Sequence, residues 1–375
     1  MELNQVEETY DVVIVGAGAA GIGMGVALQD AGIENFVVVE RFVVGASFAL
    51  WPEETRFITP SFATNSIGML DLNSIAIGSS PAHALGVEHP TGEFYEIYLN
   101  AVATHFKLPI RPQTDVTEVE KVGEGFRLST SQGVFLARHV IWAAGEFQFP
   151  QLGGFTGSTL CRHTATIPSF SKLEGDDFII VGGYESGVDA AYHLARRGKK
   201  VRLLDAGCPW KETSSDPSIA LSTYSRERMR TEYFRKNVEL CGDTSVEEVA
   251  HDGEVYAVTG GNGVTYNSST RPLLASGFVG GLSLVSHLFE SRADGFPELT
   301  ENDESTITRG LFLSGPAVRH DNHVFCFIYK YRQRFAVVAK AISTSLGLGA
   351  EELEAYRFWG MYLDDLSCCG DECVC

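Results

Sequence analysis

Positive charge is scarce in this chain. Its 375 residues carry 29 lysines and arginines against 48 aspartates and glutamates, a formal net charge of −19 at pH 7. So acidic a chain repels phosphate backbones and anionic lipid, which argues against nucleic acid and against a membrane surface as partners. Internal repeats and biased tracts are absent, and with them the solenoid and fibrous architectures. Uncharged hydrophobic runs of membrane-spanning length are absent too. The one stretch that invites comparison with a signal or a span, 12–28, is broken by Gly16, Gly18, Gly21, Gly23 and Gly25. Glu2, Glu7, Glu8 and Asp11 precede it, and no lysine or arginine occurs before Arg41. Those flanks have the wrong sign for a secretory signal, so the expectation is a soluble, cytoplasmic protein. The regular cysteine spacing of a stapled secreted domain is also missing. Cys161, Cys208, Cys241 and Cys326 are scattered, whereas Cys368, Cys369, Cys373 and Cys375 crowd the C-terminus. What remains is an ordinary globular composition, 44% hydrophobic and 21% charged with 39 glycines, long enough for two domains or one large one.

The most informative segment opens the chain. Residues 11–15 read as a short apolar strand that runs into Gly16-Ala17-Gly18-Ala19-Ala20-Gly21, then a helical pattern to Leu28, then a second buried strand, 36–39, closed by Glu40 and followed by Arg41. This is a βαβ dinucleotide fingerprint. Gly16 permits the tight turn, Gly18 lets a pyrophosphate approach the backbone, Gly21 lets helix and strand pack closely, and Glu40 is placed to accept ribose hydroxyls. The helix N-terminus offers its amides to the phosphates.

A second unit lies in mid-chain. The strand 178–181 leads into Gly182-Gly183-Tyr184-Glu185-Ser186-Gly187, a helix to Arg197, and a strand 201–204 ending at Asp205. Tyr184 replaces the middle glycine and Glu185 puts a negative charge beside the phosphate position, so both are expected to hinder a pyrophosphate. Two readings stay open here, a nicotinamide site with a modified turn and a Rossmann domain that has lost its ligand. Asp205 favours a free 2′-hydroxyl and therefore NADH over NADPH, with Lys199, Lys200 and Arg202 close enough to weaken that preference.

Two such units, the first at the N-terminus, resemble two-dinucleotide flavoproteins of the pyridine nucleotide-disulfide oxidoreductase superfamily. Ala143-Ala144-Gly145 after the strand 140–142 and the late segment Gly310 to Gly315 complete that resemblance. It implies an α/β fold of two Rossmann-like domains, the nicotinamide domain inserted within the FAD domain. It also implies FAD on the first unit and its returning segment, and NADH or NADPH on the second. The stretch from Trp51-Pro52 to Ser61, with Glu93-Phe94 and its helix, is similar to bacillithiol disulfide reductases, other thioredoxin-reductase-like enzymes and small flavin monooxygenases. The family usually has Gly-Asp in the returning segment; here Gly315 is followed by Pro316, which removes an acceptor and an amide donor. The helix after this segment implies a place near the flavin for Tyr331 and Arg332, where a cation stabilises reduced flavin. The alternative is an amphipathic helix with its basic face in solvent.

Neither cysteine pair that the resemblance leads one to expect beside the flavin is present. Cys161-Arg162-His163-Thr164 keeps one cysteine of a Cys-x-x-Cys, and 45–52 has none. Cys161 reads either as a nucleophile activated by Arg162 and His163 or as a semi-buried core thiol. The tail Cys368-Cys369-Gly370-Asp371-Glu372-Cys373-Val374-Cys375 admits three readings: a redox shuttle similar in position to the mobile pairs of mercuric and large thioredoxin reductases, a soft-metal ligand set, or an inert end. Its acidic neighbours raise thiol pKa values.

The expected domain plan is 1–155 for the first part of the FAD domain, 156–275 for the nicotinamide domain, 276–345 for the returning part and 346–375 for an extension with the tail. The expected activity is electron transfer from NADH or NADPH by way of FAD to a small-molecule or protein disulfide. The alternatives are a flavin monooxygenase and a redox- or metal-sensing dinucleotide binder. A homodimer is left open.

Overall fold

The structure, a computed structural model, describes residues 7–63 and 68–367. The chain divides into two compact units. Among the described residues, one comprises 7–49, 60–63, 68–146 and 280–367; the other comprises Leu50–Thr59 and Phe147–Val279.

The first unit begins with β1 (Glu7–Val15), α1 (Ala19–Asp30) and β2 (Phe36–Val39). The four residues of β2 and the last four of β1 are buried, as suits parallel strands covered on both faces. α1 is buried almost all round, and its glycines explain how. A Cβ on Gly23 would stand 2.2 Å from the Phe335 ring, so another helix packs directly on its backbone. After α2 (Gly92–His105) come β3 (Ile110–Arg111), β4 (Val116–Val122), β5 (Gly125–Thr130) and β6 (Gly133–Trp142). Their order across the sheet is β3-β2-β1-β6-β5-β4. The parallel core β3-β2-β1-β6 gives way to the antiparallel meander β6-β5-β4.

The second unit has its own five-stranded parallel sheet. In chain order its elements are β7 (Arg162–His163), β8 (Asp177–Val181), α3 (Glu185–Arg196), β9 (Lys200–Leu204), α4 (Thr223–Met229), α5 (Glu232–Asn237) and β10 (Val238–Cys241). A small antiparallel sheet of β11 (Val246–His251), β12 (Tyr256–Gly260) and β13 (Thr265–Ser268) follows, then β14 (Leu273–Leu274). The main sheet runs β10-β9-β8-β14-β7. Leu50–Thr59 is clamped onto this unit. The Glu54 carboxylate accepts from the Ser169 hydroxyl (2.6 Å) and from the amides of Phe170 (3.0 Å) and Ser171 (2.8 Å). The Thr55 hydroxyl donates to Asp189 at 2.7 Å. Burial opposes ionisation of Asp189, but His193, Arg228 and Thr55 outweigh it and hold the carboxyl below its usual range.

The chain returns to the first unit with β15 (Leu311–Leu313), which pairs in parallel with β6, then the hairpin β16 (Arg319–His320) and β17 (His323–Val324), and α6 (Phe335–Ser345). Asp303 ties this return together. It is fully buried, adopts a left-handed φ of 60°, and faces Arg334 (2.8 Å) and the His320 Nε2 (2.6 Å). Arg334 also donates to the carbonyls of Glu301 and Leu363. Asp303→Asn keeps the shape and removes the charge, leaving the Arg334 guanidinium buried without its counter-ion. The expected loss is about 3–5 kcal/mol in chemical denaturation. A loss below about 1 kcal/mol would show that the two carbonyls suffice to hold Arg334.

Candidate functional site

The first glycine turn separates glycines that the backbone demands from one that it does not. Gly16 has φ +107°, and a Cβ there would stand 2.5 Å from the Ala143 carbonyl oxygen; a Cβ on Gly21 would stand 1.8 Å from the Gly16 oxygen. Gly18 has φ −81° and ψ −169°, extended backbone open to any residue, and a Cβ there would meet nothing within 4 Å. Space is therefore left open above Gly18. Gly18 is also the N-cap of α1, which has neither a side-chain cap nor an acidic residue in its first turn. Its leading amides at Ala19, Ala20 and Gly21 are left for an outside acceptor.

The other expected residues of this unit converge on the turn. Ala143 donates its amide to Val15 and Ser314 donates to Trp142, which sets Ala143-Ala144-Gly145 and Gly315 side by side beyond β1, β6 and β15. Gly315, at φ +111°, would place a Cβ 3.3 Å from that of Ala20. The Pro316 carbonyl accepts from Arg319 at 2.6 Å. Glu40 is buried, and its two oxygens accept from the amides of Ala17 (2.8 Å) and Phe42 (2.9 Å). Arg41 lies over the Phe42 ring at 4.8 Å. An open glycine, uncapped amides and a clamped acid suit the pyrophosphate and ribose of a dinucleotide such as FAD.

Of Tyr331 and Arg332, the second is held by backbone carbonyls of its own unit. Arg332 is buried and its Nη1 donates to the carbonyls of Asp71 and Ser74, while its Nε is sealed from solvent without a hydrogen-bond partner. A donor sealed in protein does not face an open cofactor cleft, so this guanidinium braces the 71–74 loop. Tyr331 is buried as well; burial, with the charge of Glu146, pushes its phenol far up. Glu146, Arg319 and Cys326 form a group that the sequence did not single out. Burial raises the Glu146 carboxyl, against the pull of Arg319. Burial lowers Arg319, against the charges of Cys326 and Glu146. Only the place of Glu146, immediately after Gly145, gave a signal.

In the second unit, Gly182 (φ +104°) and Gly187 are the demanded glycines, their Cβ positions lying 2.2 Å from the Ala275 oxygen and 1.9 Å from the Gly182 oxygen. Gly183 is wedged between Trp210 and Asp205, which a Cβ would approach to 2.7 and 2.9 Å. Asp205 accepts from the amides of Gly183 (2.7 Å) and Gly207 (2.8 Å), the pattern of Glu40 repeated. Ser186 is exposed in the first turn of α3. The expectation for Glu185 is corrected. Its carboxylate accepts from the Ser222 amide at 2.6 Å and from the hydroxyls of Ser222 and Ser225, so its charge is spent on the N-terminus of α4 rather than at the phosphate position.

Of the two readings of Cys161, its surroundings fit the core thiol. It lies in a core cluster of the second unit with Ile179, Leu204, Val249, Val258 and Leu274. Burial pushes its thiol up to about 11, the charge of Arg271 opposing. His163 cannot activate it: its Nδ1 accepts from the Ala165 amide at 3.1 Å, its Nε2 lies 3.1 Å from the Gly277 oxygen, and burial keeps the ring neutral. Cys161, Arg162 and His163 border a cavity of about 620 Å³. Cys368, Cys369, Cys373 and Cys375 lie outside the described residues; among the described residues no group of three or more His, Cys, Asp or Glu is arranged to hold a metal.

Two outcomes follow from this geometry. Gly18→Ala meets no steric obstacle, so the variant folds, losing no more than about 1 kcal/mol with its N-cap glycine, yet retains less FAD on purification. Equal FAD stoichiometry in Gly18→Ala and in the still bulkier Gly18→Val would remove the turn from the cofactor site. At pH 8 the Cys161 thiol stays protonated, so alkylation mapped by mass spectrometry leaves it unmodified and reaches half-maximal rate only near pH 11. Rapid labelling at pH 8 would contradict its buried state.

Comparison with known proteins agrees with this arrangement. The family model described as pyridine nucleotide-disulphide oxidoreductase matches residues 13–315. A relative from Geobacillus kaustophilus, described as an uncharacterized CzcO-like oxidoreductase, is 28% identical over 193 residues, 50% of this chain and 52% of that protein. The chain thus spans about half the length of the first curated relatives it matches. Among solved structures, the bacillithiol disulfide reductase Bdr of Staphylococcus aureus is similar with a TM-score of 0.73 at 17% identity, over 90% of this chain and 99% of that one. The ornithine N-hydroxylase of Kutzneria is similar with a TM-score of 0.71 at 14% identity, over 90% and 100%. These last two show the fold. With the family model covering most of the chain and two glycine turns of one geometry beneath it, the protein belongs to the pyridine nucleotide-disulphide oxidoreductase family.

Proposed function

We propose that the protein is an NADH- or NADPH-dependent reductase of a small-molecule or protein disulfide. The observation that carries this reading is the pair of turns, one in each unit, alike in backbone and each clamped by an acid. FAD, when bound, supplies two-electron exchange between nicotinamide and acceptor. Gly18 and the amides of Ala19, Ala20 and Gly21 hold its pyrophosphate, Glu40 its ribose, and Ala144, Gly145, Gly315 and Pro316 line its approach. In the second unit Ser186 and Gly187 offer amides to the coenzyme phosphates. Asp205 keeps a lone pair on each oxygen for the adenosine ribose, and its charge disfavours a 2′-phosphate, so NADH is the preferred coenzyme. A cytoplasmic place of action belongs to the same reading, since free thiols persist there.

The dithiol is assigned to the tail. Cys161, held as a thiol up to about 11, supplies no thiolate at neutral pH. Two of Cys368, Cys369, Cys373 and Cys375 attack the substrate disulfide; its S–S bond breaks, two substrate thiols leave, and the tail pair is oxidised to a disulfide. NADH and one proton from solvent return that pair to two thiols. The solved bacillithiol disulfide reductase with the same fold agrees with a disulfide acceptor.

One finding favours a second reading, a flavin-dependent monooxygenase. The described cysteines, Cys161, Cys208, Cys241 and Cys326, place no vicinal pair at either glycine turn, and the solved ornithine N-hydroxylase shares the fold. Truncation before Cys368 separates the two. For a disulfide reductase, NADH-driven thiol release falls at least about tenfold, about 1.4 kcal/mol of barrier, while reduction of a one-electron dye is unchanged. Unchanged thiol release would take the tail out of the path. Stoichiometric oxygen consumption with a hydroxylated product and no thiol release by the full chain would establish the monooxygenase.

A further inference from the structure

The two turns serve as internal controls for each other. At Gly18 the backbone has φ −81° and ψ −169°; at Tyr184, the corresponding position, it has φ −80° and ψ −165°. Both residues are the N-caps of twelve-residue helices. The glycines whose Cβ would strike backbone, Gly16 and Gly21, persist as Gly182 and Gly187. Only the glycine that the fold does not need has changed. The space that is open above Gly18 is thus the direction in which the Tyr184 side chain leaves its own turn.

Tyr184 is not there for stability. It makes no side-chain cap, and tyrosine is a poor residue at an N-cap, where Ser, Asp, Asn or Gly is preferred. Its side chain is 49% exposed and has no hydrogen bond or ring contact among the described residues. Nor does the neighbouring charge obstruct the turn, because Glu185 is engaged by Ser222 and Ser225. The ring is the obstacle that remains, and nothing locks it in place.

We propose that Tyr184 is a gate on the second dinucleotide site, its ring standing over the pyrophosphate seat in the free protein and swinging aside when the nicotinamide dinucleotide binds. The proposal rests on the reading that this turn holds that coenzyme. An unbonded, half-exposed side chain changes rotamer in picoseconds to nanoseconds, so the gate acts on affinity rather than as a slow step. The apparent dissociation constant rises by the inverse of the fraction of time the seat is clear.

The test is calorimetric titration of the FAD-loaded full chain with NAD⁺ and with NADP⁺, which bind without turnover. Tyr184→Gly is expected to bind its preferred coenzyme at least about tenfold more tightly than the parent, the gain that follows when the ring covers the seat about nine-tenths of the time. Tyr184→Phe is expected to stay within about twofold, because the hydroxyl makes no bond. FAD stoichiometry and melting temperature confirm that each variant is folded. Parent and Tyr184→Gly binding with equal affinity, or the variant binding more weakly, would overturn the gate and leave the second site standing. No binding of either coenzyme by parent or variant would overturn both. A tenfold gain shared by Tyr184→Phe would assign the effect to the hydroxyl and overturn the steric gate.

Discussion

Each unit depends on one carboxylate that bends the chain onto its own glycine turn. Glu40, just past β2, takes the amides of Ala17 and Phe42; Asp205, just past β9, takes those of Gly183 and Gly207. A charge-assisted bond to a backbone amide is stronger than a neutral one, and two per carboxylate fix the turn before any ligand arrives. Pre-organisation of this kind lowers the ordering cost of binding a dinucleotide. It also ties coenzyme choice to turn geometry. Replacing Asp205 to admit a 2′-phosphate releases Gly183, which is packed against Trp210, so the ribose pocket and the phosphate seat change together.

The glycine turns were legible in the sequence because their constraints are local. Gly16 to Gly21 are six residues of one turn, and the helix, strand and acid that follow keep a fixed spacing. The clamping of Leu50–Thr59 onto the second unit was not legible. Its anchors at Ser169, Ser171 and Asp189 lie more than a hundred residues downstream, and a Glu followed by a Thr looks like any surface loop. The buried Asp303 was hidden for the same reason: its partner Arg334 sits in a basic stretch, 330–334, that resembles a solvated helix face. Motif spacing names a residue but not the direction of its side chain. Glu185 and Arg332 both stand where the pattern placed them, and both are engaged by protein groups, the Ser222 amide and the Ser74 carbonyl.

Direction also decides the chemistry of the thiols. Cys161 has Arg162 and His163 beside it in sequence, which reads as activation, yet its packing carries the sulfur into a core. Burial then raises its pKa more than the Arg271 charge lowers it. Cys326 has no suggestive neighbours in sequence, yet its charge is felt by the Arg319 guanidinium in space. A charged partner counts for a thiol only when the partner reaches it and solvent stays close enough to stabilise the thiolate.

The two turns, finally, separate folding from binding at single-residue resolution. A glycine whose Cβ would meet a backbone oxygen at 1.8 to 2.5 Å cannot change without moving a strand, and all four such glycines are kept in the two turns. Gly18, at a φ open to any residue and with nothing within 4 Å of its Cβ position, is not demanded by the fold. Gly18 is kept and Tyr184 is not a glycine, although their backbones coincide within a few degrees. The open glycine of the first unit suits a tightly seated, resident cofactor. The second retains the glycines that the fold demands and carries an exposed tyrosine where the first keeps its open glycine, the difference on which the proposed gate rests.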